Sequence, residues 1–119
     1  MEGRVCLIVD DELCIRNYLK AILERQGWRC LEAGNAMEAR HVVESLHGEL
    51  DLLLTDIDMP GEMNGAGLAE WVRDGHPNIP IILISGSADL VPAGFPLVRK
   101  PCKPETVLKA VASSWRRAG

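Results

Sequence analysis

Three short stretches of this chain are apolar without alternation, and they restrict its fold more than any other feature. Val5-Cys6-Leu7-Ile8-Val9, the Leu52-Leu53-Leu54 run within 51–55, and the segment 80–85 put hydrophobic side chains on both faces of an extended strand. Strands of that kind need cover on both sides, the environment of a parallel sheet flanked by helices. Strand-like runs also occur at 29–33 and 96–99. Helical periodicity fills the intervals. Ile15, Leu19, Ile22 and Leu23 mark one face of a helix over 12–26, which Gly27 stops. Ala36, Ala39, Val42, Val43 and Leu46 mark a second, closed by Gly48, and Ala66, Leu68, Ala69 and Val72 a third, closed by Gly75 and Pro77. Pro104, with Leu108, Val111, Ala112 and Trp115 behind it, opens the last.

Strand-helix alternation predicts an α/β doubly wound sheet of five parallel strands with helices on both faces. At 119 residues the expected unit is one domain, 1–119. Only the segment 86–96 breaks the rhythm. It leaves room for a helical turn near Ser87–Val91, so the fourth helix is expected to be shortened or absent. A net charge of −4 gives no electrostatic footprint for nucleic acid or an anionic membrane, and Arg116-Arg117 is too short a basic run to alter that. No apolar stretch nears the ~20 residues of a membrane span, and the N-terminus does not read as a signal peptide. Cys6, Cys14, Cys30 and Cys102 lack C-x-x-C spacing, and the expectation is reduced thiols in a cytoplasmic protein.

The polar residues that end these strands carry the chemistry. Asp10-Asp11-Glu12 follows the first run and Asp56, then Asp58, the third. In the flavodoxin-like order 2-1-3-4-5, strands 1 and 3 are neighbours at the switch point, so Asp10 and Asp11 face Asp56 across a crevice. Two carboxylates ~5 Å apart at an effective dielectric of ~20 repel by roughly 3 kcal/mol. Either one takes up a proton or a divalent cation settles among them. A hard oxygen site of a few carboxylates suits Mg²⁺, or Mn²⁺, which keep several waters and accept a phosphate oxygen. Capping of the following helix would account for one acid of the first pair, worth ~1 kcal/mol, and not for the acids at strand 3. Ser85 closes the fourth strand and Lys100-Pro101 the fifth. Singly these read as turn residues. Together, acids, hydroxyl and ammonium at the ends of strands 1, 3, 4 and 5 suit phosphoryl chemistry.

"VDDE" at 9–12, "LLLTDIDMPG" at 52–61, "ISGS" at 84–87 and "KP" at 100–101 resemble, in order and separation, the response-regulator receiver domain of two-component signalling. The resemblance covers essentially the whole chain. It implies Asp56 as phosphoacceptor, Asp11 as a direct metal ligand, Asp10 as a ligand through water, and Asp56 with the backbone carbonyl of Asp58 completing the protein's share. It implies Ser85 as the hydroxyl that moves to the phosphoryl group, Lys100 as its paired cation, and a cis Lys100-Pro101 bond. The implied partners are a sensor histidine kinase or histidine phosphotransfer protein, and a downstream protein target. The implied role is that of a phosphoacceptor and not of a turnover enzyme. A charge-assisted hydrogen bond from Ser85 is worth ~1.5–3 kcal/mol, whereas moving a switch from 1:99 to 99:1 needs ~5.5. Lys100 and loop repacking must add the rest, or the population change is partial.

Several positions depart from the family's pattern. Leu97 stands three residues before Lys100, where many receivers carry Tyr or Phe, with Phe95 as a nearby substitute. The short 86–96 segment removes a surface that many relatives use to dimerise, so a monomer is expected, without dimerisation through the fourth-helix face. The loop 61–65 is one residue longer than the commonest form, and Asp58 is either a tuner of hydrolysis or a solvated loop acid. His41 and His47 are expected on a helix and His76 in a loop, none spaced for a metal. The competing class is a haloacid-dehalogenase-like phosphatase using Asp56 in a D-x-D signature. Against it, position 60 is Pro, the acidic pair precedes the motif, and no cap domain fits. A flavodoxin-like cofactor binder lacks a Gly-rich phosphate cradle and would set acids against a phosphate.

Overall fold

A computed structural model describes residues 3–86, 92 and 94–118, with side chains to 114. The element order is β1 (Val5–Val9), α1 (Leu13–Glu24), β2 (Arg29–Ala33), α2 (Ala36–Ser45), β3 (Leu52–Asp56), α3 (Gly65–Gly75), β4 (Ile81–Ser85), β5 (Leu97–Arg99) and α4 (Pro104–Ala118). The strands form one parallel sheet in the order β2-β1-β3-β4-β5. Among the described residues no helix lies between β4 and β5. The turn expected at Ser87–Val91 falls outside them, as does the side chain of Trp115.

Alternate residues of each strand feed two cores. Leu7, Val9, Leu53 and Leu83 pack with α2 and α3 on one face. Cys6, Ile8, Leu52, Leu54, Ile82, Ile84 and Val98 pack with α1 and α4 on the other. Every residue of β3 and β4 is buried, which explains why those strands read as unbroken apolar runs.

The helices end where local chemistry stops them. Gly27 adopts φ 91° after α1, and Trp28 N–H donates to the Leu23 carbonyl at 3.2 Å. Asn35 caps α2 by accepting from Glu38 N–H, while Glu38 Oε1 accepts from Gly34 N–H, both at 2.9 Å. Asn64 caps α3 by accepting from Gly67 N–H at 2.9 Å.

The third strand runs Leu52–Asp56, within a residue of the expected 51–55. Asp51, just before it, ties the start of β1 twice: its carboxylate accepts from Val5 N–H at 2.8 Å, and its own N–H donates to the Val5 carbonyl at 2.9 Å. One sequence expectation needs correction. His47 is not helical: α2 ends at Ser45, and His47 sits in the following turn at φ 53°. Phe95 precedes β5, at the opposite end of that strand from Lys100, with the Arg73 guanidinium 5.2 Å from its ring centroid.

Candidate functional site

Parallel pairing puts the C-terminal ends of β1, β3, β4 and β5 on one edge of the sheet. Val9 is in register with Thr55, and Asp56 with Ile84, so Asp10 and Asp56 leave adjacent strands side by side. Ser85 closes β4 in register with Arg99, and the Ser85 carbonyl accepts from Lys100 N–H at 2.8 Å. The sheet therefore delivers Asp10, Asp56, Ser85 and Lys100 to one edge without help from the loops. Asp11, in the turn after β1, completes the cluster.

Asp10, Asp11 and Asp56 each present a carboxylate oxygen, and these oxygens lie within 4.8 Å of one another. Asp10 and Asp56 are buried and Asp11 is exposed, so one side of the cluster opens to solvent. Lys100 Nζ stands 3.1 Å from Asp10 Oδ2 and 3.3 Å from Asp56 Oδ1, bridging both buried acids. The Lys100-Pro101 peptide that leads away from it is cis. Asp10 is held on every side. Its Oδ1 accepts from Glu12 N–H at 2.9 Å, its N–H donates to the Ala33 carbonyl at 3.2 Å, and its carbonyl accepts from Arg16 Nη1 at 2.7 Å. Glu12 is the N-cap residue of α1 and makes no side-chain cap. Capping therefore does not explain the acidic pair.

Burial, then the neighbouring Asp10 carboxylate, push the Asp56 carboxyl up to about 6, although Lys100 pulls the other way and Asp58 adds to the rise. Burial opposes the charge on Lys100. Its hydrogen bond to Asp10 and the nearby Asp56 carboxylate outweigh burial, and its pKa is raised. One ammonium thus faces two buried acids, and an exposed third acid waits at the rim. A set of carboxylate oxygens with a net negative charge fits a hard divalent cation, and Asp10, Asp11 and Asp56 could hold one. Asp58 follows β3 with its side chain exposed.

Two residues that the sequence did not single out shape this edge. Arg16 reaches from the first turns of α1 to the Asp10 carbonyl. Gly65, first residue of α3, packs directly on β3: a Cβ there would lie 1.7 Å from the Asp56 carbonyl oxygen. No local pattern marks it, because the close approach depends on how the loop after β3 returns against that strand.

A doubly wound parallel sheet with three acids and a lysine gathered at its C-terminal edge defines a flavodoxin-like protein whose acidic cluster could hold a cation. Comparison with known proteins narrows this. A sequence profile of the response regulator receiver domain matches residues 6–112. The chain belongs to that family, the receiver domains of two-component systems. It is 33% identical over its full length to the phosphate regulon transcriptional regulatory protein PhoB of Pseudomonas aeruginosa, 55% of which is covered. It is 37% identical to sensor kinase CckA of Brucella abortus over 70% of this chain and 9% of that one. The chain thus spans about half or less of the length of these curated relatives. Among solved structures, the CheY-like receiver domain protein of Methanospirillum hungatei superposes with TM-score 0.86 at 29% identity, covering 97% of this chain and 95% of that one. The receiver domain of the hybrid histidine kinase CckA superposes with TM-score 0.81 at 30% identity, covering 93% and 98%. These matches favour the receiver family over the phosphatase alternative. No helix among the described residues is long and apolar enough to cross a membrane.

Proposed function

We propose that Asp56 accepts a phosphoryl group from a phosphohistidine presented by a sensor kinase or a histidine phosphotransfer protein, and that the product alters binding to a downstream protein. The observation that carries this reading is Lys100 Nζ placed between Asp10 Oδ2 and Asp56 Oδ1 at 3.1 and 3.3 Å. The same ammonium can turn from a carboxylate to a phosphoryl oxygen on one side chain's motion.

Asp10, Asp11 and Asp56, with the backbone carbonyl of Asp58, would hold Mg²⁺ or Mn²⁺. When bound, that cation offsets the charge of the incoming phosphoryl group and orients its oxygens. The remaining steps belong to the chain. An Asp56 carboxylate oxygen forms the new bond to phosphorus as the bond to the imidazole nitrogen breaks, and that nitrogen keeps the electron pair and takes a proton. Phosphoryl transfer has a loose transition state, so positioning and neutralisation carry most of the effect. With a pKa of about 6, Asp56 is mostly ionised near neutrality and more basic than an ordinary aspartate. Lys100 neutralises charge on the transferred group, and the Ser85 hydroxyl, at the end of β4, donates to one of its oxygens. The aspartyl phosphate then presents new charge and acceptors at this edge. The role is that of a phosphoacceptor with slow self-hydrolysis, in a cytoplasmic setting, and not of a turnover enzyme.

Incubation with Mg²⁺ and a small-molecule phosphodonor is expected to add one phosphoryl mass to the wild type by intact mass spectrometry, and none to Asp56→Ala. Addition to both, or to neither, would contradict the assignment. Asp58 is exposed, and its charge helps to raise the Asp56 pKa. Asp58→Asn is therefore expected to change the decay rate of the phosphorylated form while leaving its formation intact. Equal decay constants in the two proteins would remove Asp58 from the mechanism.

A further inference from the structure

We infer that Arg16 is a positioning residue for the cation site: by holding the Asp10 carbonyl it fixes the peptide that leads into Asp11, and so aims the Asp11 carboxylate at Asp56. This rests on the metal site proposed above.

Arg16 lies at the junction of three elements. Its Nη1 donates to the Asp10 carbonyl oxygen at 2.7 Å, short for a bond from a charged donor to a neutral acceptor. Its Nε donates to Glu32 Oε1 at 3.2 Å, from the strand beside β1. The guanidinium also lies against the turn after β2, where a Cβ on Gly34 would come within 3.6 Å of Nη1. Glu32 is in turn gripped by Lys20 Nζ at 3.4 Å. The planar fork is thus clamped by a β2 carboxylate on one nitrogen and holds the end of β1 with another, and a single ammonium has no such geometry.

The consequence for Asp11 is geometric. The Asp10 side chain is already committed to Glu12 N–H and Lys100 Nζ. Asp11 is the exposed member of the cluster, and no side-chain bond to a protein donor is recorded for it among the described residues. Its placement depends on the backbone preceding it. With the Asp10 carbonyl held by Arg16 and Glu12 N–H held by Asp10 Oδ1, the peptide planes on both sides of Asp11 are restrained, and with them its Cα–Cβ direction. Glu32 keeps Lys20 as a partner when Arg16 is replaced, so loss of Arg16 does not strand a buried charge.

Charge and position predict opposite signs. Arg16 is a cation near a cation site, so on Coulombic grounds alone its removal would tighten metal binding. As a positioning residue, its removal weakens binding, by about tenfold on the scale of other residues that orient metal ligands.

The test is the dissociation constant of Mn²⁺, read from the free-Mn²⁺ electron paramagnetic resonance signal at fixed ionic strength, for the wild type, Arg16→Met, Arg16→Lys and Asp11→Asn. Arg16→Met is expected to raise the constant about tenfold, and Arg16→Lys to raise it as well despite the retained charge. Tighter or unchanged binding in Arg16→Met overturns the inference. So does wild-type affinity in Arg16→Lys, which would reduce the role of Arg16 to charge. Should Arg16→Met fail to fold by circular dichroism, Arg16→Lys decides alone. Failure of the underlying metal reading is separate and visible: there the wild type binds no Mn²⁺, or Asp11→Asn binds it equally well.

Discussion

Gly65→Ala is expected to destabilise the chain by about 3 kcal/mol or more, read as a lower urea midpoint at unchanged slope. The added Cβ would meet the Asp56 carbonyl oxygen at 1.7 Å, the Asp56 carbonyl carbon at 2.6 Å and Ile57 Cα at 2.9 Å. All three are backbone atoms. They are locked by the donation of Ile57 N–H to the Ile84 carbonyl at 3.0 Å and of Gly65 N–H to the Ile57 carbonyl at 2.9 Å. Neither partner can swing aside, so α3 must lift from the sheet or β3 must bend. Gly67→Ala supplies the control within the same helix. A Cβ there meets the Met63 side chain at 3.1 Å, which can move, and alanine favours the helix over glycine by up to ~1 kcal/mol. That variant should match the wild type within about 1 kcal/mol or exceed it. Equal stability of the two variants would show that the close approach at Gly65 relaxes freely.

Asp56→Asn should melt roughly 10 °C above the wild type at pH 7 in metal-free buffer, although it can no longer accept a phosphoryl group. The unfolded chain ionises this carboxyl near its ordinary value of 3.8, the folded chain at about 6. Between those values the folded state holds a proton that the unfolded state has lost. Stability from this group is therefore fully present below pH 3.8 and is lost as pH rises through about 6. At ~1.4 kcal/mol per pH unit, ionising Asp56 in the folded chain costs about 3 kcal/mol, with the attraction of Lys100 already included. Asparagine keeps the shape without the charge. A bound cation offsets this cost, since Mg²⁺ at ~100 times its dissociation constant stabilises the wild type by about 2.7 kcal/mol. The gap should close on adding Mg²⁺. A metal-free Asp56→Asn protein that melts below the wild type would contradict the electrostatic account.

Both effects concern residues of very different legibility. Asp56 stood out because a short unbroken apolar run bounded by polar residues reads as a strand covered on both faces, and a charge at its end then lies at the sheet's edge. The same logic located Asp10, Ser85 and Lys100, since parallel strands share one C-terminal edge. The end of α1 was readable from Gly27, where positive φ is needed, whereas Gly48 overshot α2, which stops at Ser45. Gly65 and Arg16 were not readable. A glycine that is small because a carbonyl of another element touches it has no local pattern, and Arg16 looks like any polar residue on an amphipathic helix. Asp51 shows the same limit: its place at the start of an apolar run was readable, whereas the bond from Val5 N–H to its carboxylate, across a separation of 46 residues, was not. Contacts between distant segments, not local preference, decide such positions.

The sheet's margins have a consequence for life at high concentration. β5 is only three residues long, preceded by Pro96 and followed by the Lys100-Pro101 pair, and β2, at the far margin, carries Arg29 and Glu32. A foreign strand seeking to extend the ladder would find too few amide groups on one flank and like-or-unlike charges to satisfy on the other. Fibrillar growth of the native form by strand addition at either margin is thereby discouraged.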